Sequence, residues 1–558
     1  MRATHPPSPA DAARFRAEGR WREAQSVGRH LAELASGGDR TALIDDTGTC
    51  SHAELAGLAD RVRAALVHAG VRPGDSVLVL TPLRIGAVAA MLGSRLAGCV
   101  TVLVDRRAGA ADVAAACTSL PARVILAYDA DAERLSLSTY GQVLPVERIL
   151  LAGSSSDPSD PSGPSEPSDP SDPSGPSEPS DPSHSSDPPD SSDPPDSSHP
   201  SNPSELHLGP DDVLLDPDTP NLVLFTSGTT SAPRGVLHTL NSLRCGTQNM
   251  VDTLDLQAGD TFLLSSPLAS ITGVLQIESA LMAHAGVLLA ERFSPEDALE
   301  SVLRHGVSVI GGAPIISETI FAECDHRGIT RLPLRCIALG GTMIGPAVLS
   351  AAERLNVGYV RVYGSSEVPF STATEFNDDS GHDGAPLPGV DVSVRAEGPD
   401  ELLIRGPHQF HGYLNPADNV NAFCDGWVRT GDQAEVAGGR VRITGRLKDV
   451  AARKGLKMSL AEIDAAAAVL GECAAFAVPD PVTGERVALA VRASVASDLS
   501  FDDVVDALLA TGLARWKLPE QVVAWDGEFP RTASGKIIRR DLADERRHLR
   551  TLYAPRLR

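Results

Sequence analysis

Residues 221–236 read NLVLFTSGTTSAPRGV: a short apolar run, a turn through Thr226, Ser227, Gly228, Thr229 and Thr230, then Pro233, Arg234 and Gly235. An apolar run that ends in Ser, Gly and Pro reads as a buried strand entering a glycine-rich turn. Backbone N–H groups and hydroxyls gathered in such a turn form a concave anion site, and a guanidinium at Arg234 adds charge-assisted contacts to phosphate. The spacing is not that of a Walker A loop, because six residues separate Gly228 from Gly235 and no Gly-Lys-Ser/Thr follows. On its own the stretch is either a phosphate-binding loop or a Ser/Thr/Gly-rich surface loop.

Working outward, HAELAGLADRVRAALVHAGVRPGD places Leu55, Leu58, Val62, Ala65 and Leu66 at helical spacing and stops at a Gly/Pro turn. SVLVL then reads as a buried strand, RIGAVAAMLGSRLAG as a helix and VTVLV as a strand. The alternation predicts an α/β fold of mostly parallel sheets packed with helices, continuing to about Gly445. From DVAARKGLKMSLAEIDAAAAVL onward a separate series of helices and strands, with an amphipathic helix near Phe501–Thr511, predicts a small α+β second domain. The expected division is 1–447 and 448–558, the first interrupted by 154–205.

That interruption is a Ser/Pro/Asp repeat without an apolar residue to bury, so it is expected to stay disordered as a solvated tether. It holds twelve carboxylates and no Lys or Arg, half of the formal net charge of −24. An acidic chain argues against nucleic-acid or anionic-membrane partners, which need a basic face. The apolar runs are too short or too interrupted to span a bilayer, and the start lacks a signal-peptide core, so a cytoplasmic protein is expected. The eight cysteines are scattered, with neither a C-x-x-C pair nor metal-ligand spacing, and read as buried thiols.

Four further stretches carry chemistry: Tyr363-Gly364-Ser365-Ser366-Glu367, Arg429-Thr430-Gly431-Asp432, Gly445-Arg446-Leu447-Lys448-Asp449 and Pro530-Arg531-Thr532-Ala533-Ser534-Gly535-Lys536. Alone, each is an ordinary turn or charge cluster. In this order, together with residues 226–235, they resemble the signatures of the adenylate-forming superfamily: acyl-CoA synthetases, peptide-synthetase adenylation domains and beetle luciferases. The resemblance spans nearly all of the chain apart from the extreme N-terminus and the Ser/Pro/Asp stretch.

The resemblance implies ATP, Mg²⁺ and a thiol co-substrate, coenzyme A. It assigns nucleotide contacts to Thr226, Ser227, Gly228, Thr229, Thr230, Arg234, Gly341, Tyr363, Gly364, Ser365, Ser366, Asp432, Arg446 and Lys536. Tyr363 is expected to stack on adenine, Asp432 to accept from the ribose hydroxyls, and Glu367 to hold the metal, which favours oxygen ligands. Thr226, Glu367 and Lys536 are the expected catalytic residues, the lysine bridging the negative charge that builds as a carboxylate attacks the α-phosphorus. The acyl pocket is expected at Ser270, Thr272, Gly273, Gly340, Gly341 and Thr342, the thiol tunnel at Gly455 and the interdomain hinge at Lys448. The family more often has Lys at Arg234, and His or an aromatic residue at Ser270. Adenylation domains for α-amino acids carry an Asp near Ser270, so its absence disfavours a free amino acid. The SPLA-x-x-TG spelling is most like medium-chain and alicyclic carboxylate–CoA ligases.

Three functions follow in order of expectation: an acid–CoA ligase, a stand-alone adenylating enzyme that loads a phosphopantetheinylated carrier protein, and a degenerate nucleotide-binding scaffold. Retention of Glu367, Asp432 and Lys536 together counts against the last.

Overall fold

The run at residues 76–81 forms the strand Ser76–Thr81, buried at every position because both of its faces are covered. Val77 and Val79 enter one core, Leu78 and Leu80 another. A strand with two dry faces has no polar side to present, which explains its uninterrupted apolar spelling. The structure, a computed structural model, describes residues 6–151, 214–226, 234–291, 293–341, 344–395, 400–453, 456–496, 499–532, 536–546 and 549–555. The Ser/Pro/Asp stretch expected to be disordered lies outside the described residues, as do Ser227–Thr230, Thr342 and Gly455.

Ser76–Thr81 belongs to a six-stranded sheet in the order Arg234–Thr239, Pro220–Thr226, Val100–Asp105, Ser76–Thr81, Val124–Ala127 and Gln142–Pro145. All neighbours are parallel except the first pair, which returns antiparallel with Thr226 opposite Arg234. A nine-stranded sheet has a parallel centre, running from Gly358–Tyr363 through Cys336–Gly340, Val309–Gly312, Thr261–Leu264 and Gly286–Leu289 to Thr41–Asp45. Helices His52–His68, Ile85–Leu96, Leu240–Leu254 and Ile271–Met282 fill the space between the two sheets in one shared core. Other helices cover the outer faces, giving five alternating layers. Ile85–Leu96 is buried on all sides from Gly86 onward. Gly93 lets it approach His52–His68, since a Cβ there would stand 2.5 Å from the Ala59 carbonyl oxygen. A buried Arg95–Glu278 ion pair joins this helix to Ile271–Met282.

The helix–strand alternation expected as far as Gly445 ends earlier. Between helix Pro346–Arg354 and Gly445 the described chain is strands, turns and one short 3-10 helix, Pro416–Asn419, and includes a five-stranded antiparallel sheet built around Trp427–Ala437. This sheet packs its own core, with Leu402, Ile404 and Phe410 buried against Val236 and Val368. Antiparallel strands need only tight turns between them, and Gly438 and Gly439, both at positive φ, supply the turn before Arg440–Arg446. The C-terminal region has a separate six-stranded sheet with helices Leu460–Ala467 and Phe501–Ala510 on it and a separate core. Among the described residues no helix is long and apolar enough to cross a membrane. All eight cysteines are free, six of them buried.

Candidate functional site

The ends of the parallel strands in the nine-stranded sheet, the antiparallel sheet and the C-terminal sheet converge on one cavity of about 2440 Å³. Strand Gly358–Tyr363 delivers Tyr363 to its wall, and Gly364 then doubles the chain back so closely that a Cβ there would lie 2.5 Å from the Phe370 nitrogen. The Ser365 hydroxyl accepts from the Glu367 and Val368 amides at 3.2 and 3.3 Å, which holds the turn. His238 secures it from below: Nε2 donates to the Ser366 carbonyl at 2.7 Å, and Nδ1 lies 3.1 Å from the Ser242 hydroxyl. Burial pushes this imidazole down to about 4, so it serves as a neutral support.

Two hydrogen-bonded groups stand on this turn. Tyr363 donates its hydroxyl to Asp432 Oδ2 at 2.6 Å, and Arg446 Nε donates to Oδ1 of the same carboxylate at 2.9 Å. A carboxylate offers about four lone-pair sites, so Asp432 keeps capacity for two further donors. Burial, then the Asp432 charge, hold the Tyr363 phenol well above its usual range. Glu367 Oε1 accepts from the Tyr413 hydroxyl at 2.6 Å, and the Tyr413 ring carries the Arg234 guanidinium 4.4 Å from its centre. Arg234 and Glu367 are thus joined through a tyrosine that the sequence reading passed over. Tyr413 sits next to Leu414, whose amide donates to the Gly235 carbonyl, so its role comes from a long-range pairing that local sequence does not signal.

Lys536 lies in the C-terminal region, between strand Gln521–Trp525 and helix Arg539–Glu545. Its amide donates to the Thr532 hydroxyl at 3.2 Å, its carbonyl accepts from the Thr532 amide at 2.7 Å, and Arg531 pairs with Ile537 as an antiparallel bridge. The side chain crosses the cavity to Gly341, at φ +80°, where a Cβ would lie 4.0 Å from Lys536 Cε. Burial first, then the nearby Arg446 charge, bring its ammonium down to about 8, while Asp432, Glu367 and Asp449 act the other way. One cavity therefore holds Lys536, Glu367, Asp432, Arg446 and Tyr363 along with Ser365, Ser366, Gly364, Arg234 and Lys448. Thr226 lies at the end of its strand, opposite Arg234 in register.

Of the expected acyl-pocket residues, Ser270, Thr272, Gly340 and Gly341 line the cavity. The Ser270 hydroxyl caps helix Ile271–Met282, accepting from the Gly273 amide at 3.0 Å and donating to the Pro267 carbonyl at 2.7 Å. Gly273 does not line the cavity: it packs on the chain before the helix, where a Cβ would stand 2.2 Å from the Pro267 oxygen. That close approach by itself requires glycine.

Among the described residues no three His, Cys, Asp or Glu side chains gather as a metal site. A hard cation that takes one carboxylate and completes its shell with phosphate oxygens and water still fits Glu367, whose Oε2 is not used by Tyr413.

Comparison with known proteins agrees with this architecture. The AMP-binding enzyme family model matches residues 32–414, and the model of the AMP-binding enzyme C-terminal domain matches residues 465–536. Indoleacetate–CoA ligase of Aromatoleum aromaticum is 31% identical over 60% of this chain and 68% of its own. Salicylyl-CoA synthase / salicylate adenylyltransferase of a Streptomyces species is 28% identical over 96% of this chain and 97% of its own. The solved structure of o-succinylbenzoate CoA synthetase from Bacillus subtilis in complex with its acyl-adenylate intermediate superposes with a TM-score of 0.74 at 21% identity, covering 94% of this chain and 99% of that one. With a family model matched along most of its length and a second matched in its C-terminal region, the chain belongs to the AMP-binding enzymes.

Proposed function

We propose that this protein joins a carboxylic acid to coenzyme A in two steps at one site, first forming an acyl-adenylate from ATP and then passing the acyl group to the thiol. The observation that carries the reading is the position of Lys536, reaching from the C-terminal region to Gly341 within one cavity with Glu367 and Asp432. A cation held between the acyl side and the phosphate side suits a reaction in which both partners are anions.

In the first step a carboxylate oxygen attacks the α-phosphorus and pyrophosphate leaves. Asp432, oriented by Tyr363 and Arg446, accepts from the ribose hydroxyls, and the turn Gly364–Glu367 faces the α-phosphate. The loop from Thr226 to Arg234 holds the outer phosphates, and Lys536 bridges carboxylate and phosphate as charge builds. Mg²⁺, when bound, neutralises phosphate charge, and Glu367 is the residue that would hold it. In the second step the thiol sulfur attacks the acyl carbonyl, AMP leaves, and the thioester forms. We place the domain division at 447/448, Lys448 at the hinge and Gly455 on the thiol path. The relatives named above are CoA ligases or synthases, which favours coenzyme A over a carrier protein as acceptor. Free cysteines throughout suit a reducing, cytoplasmic setting.

The test is ATP–pyrophosphate exchange with a broad panel of carboxylic acids, followed by AMP release with coenzyme A or with a phosphopantetheinylated carrier. Exchange with one or more acids and thioester formation on coenzyme A is the expected result. No exchange with any acid would sink the reading, and transfer to the carrier alone would replace its second step.

A further inference from the structure

The apolar side chains of Met250, Phe262, Leu275, Ala338 and Phe370 line the cavity, and so does the buried amide side chain of Gln276. Thr272, Leu275 and Gln276 all line the cavity and lie on one side of helix Ile271–Met282, as three- and four-residue spacing requires. Gln276 is six residues beyond the Ser270 cap, which at 1.5 Å per residue puts it about 9 Å further along the helix axis. It is 1% exposed, and its Oε1 has no hydrogen-bond partner among the described residues. The opposing strand makes room for it. Gly311 also lines the cavity, and a Cβ there would stand 2.6 Å from Gln276 Nε2.

A buried amide oxygen without a partner is disfavoured and is relieved by a ligand that supplies the missing bond. We infer that Gln276 is a specificity-determining residue for carboxylic acids that carry a hydrogen-bonding oxygen, hydroxyl or oxo, on an apolar body remote from the carboxylate. A hydroxyl both donates and accepts, so it answers either orientation of the amide. Met250, Phe262, Ala338 and Phe370 offer an apolar body good contact. A plain hydrocarbon chain would leave the amide unpaired inside a dry complex, and for that reason it is discriminated against. The inference rests on the proposed acid activation and adds the class of acid.

Pyrophosphate exchange with matched acids tests it: cinnamate against 4-hydroxycinnamate, and octanoate against 8-hydroxyoctanoate and 7-oxo-octanoate. The protein should favour an oxygenated member over its plain partner by about 10- to 100-fold in kcat/KM, the range that one buried hydrogen bond commands. In Gln276→Leu, and in Gln276→Met should the branched variant fold poorly, that ratio should fall to within about threefold of unity, through loss on the oxygenated acid. The ligand-free variants should melt no lower than the parent, because an unpaired polar group has been removed. Preference for the plain acids, or an oxygenated-to-plain ratio that survives both substitutions, would overturn the inference while leaving acid activation standing. Absence of exchange with every acid would remove both.

Discussion

The Lys536 ammonium offers the sharpest handle on the proposed chemistry, because burial, with Arg446 adding to it, lowers it from the ordinary lysine value to about 8. A depressed lysine loses its charge as pH rises, so any step that needs the cation fails on the alkaline side. For a group titrating near 8, roughly nine-tenths of the population is charged at pH 7 and roughly one-tenth at pH 9, whereas an ordinary lysine remains almost wholly charged at both. Adenylation measured as kcat/KM, which reports the free enzyme, should therefore fall about tenfold between pH 7 and pH 9. Lys536→Arg should be slower but free of this alkaline limb, since a guanidinium stays charged. Lys536→Ala should lose adenylation by the order of 10²-fold or more and still convert a synthetic acyl-adenylate to thioester, because the charge is needed only while phosphate charge builds. The assay is pyrophosphate exchange across pH, paired with thioester formation from the synthetic adenylate. A parent profile flat to pH 9.5, or an alkaline limb that persists in Lys536→Arg, would refute the assignment of the cation to Lys536.

Tyr413→Phe removes the 2.6 Å hydrogen bond to Glu367 and should raise the Mg²⁺ concentration for half-maximal adenylation by about 10-fold, as loss of an outer-shell partner does. An unchanged titration in a folded variant would separate the tyrosine from the metal. Glu367→Gln should cut adenylation by the order of 10²-fold and flatten the Mg²⁺ dependence, and unaltered titration curves would take this residue out of the metal shell. Replacing residues 154–205 by a short Gly/Ser linker should leave melting temperature and turnover nearly unchanged, because that stretch has no apolar side chain to dock; a large fall in either would show that it packs on the body.

Much of this protein was readable in its sequence because the relevant information is local. Continuous apolar runs such as 76–81 identify strands covered on both faces, and hydroxyl- and glycine-rich turns reveal themselves by composition. The expected residues Tyr363, Ser365, Ser366, Glu367, Asp432, Arg446 and Lys536 do line one cavity, although they are spread over 174 positions of chain. Where the alternation of helices stops was not legible, because apolar strand segments read alike in parallel and antiparallel sheets until their partners are known. The purpose of Gly273 was not legible either: only the fold shows that the Pro267 carbonyl occupies the space a side chain would need. Residue identity determined which groups could serve an anion, a ribose or a metal. Tertiary structure alone decided that Tyr413 holds Glu367, that Arg234 lies on Tyr413 and that Gln276 Oε1, beside Gly311, has no hydrogen-bond partner among the described residues. Hydrogen bonding and desolvation act between neighbours in space, and these neighbours come from strands and helices far apart in the chain.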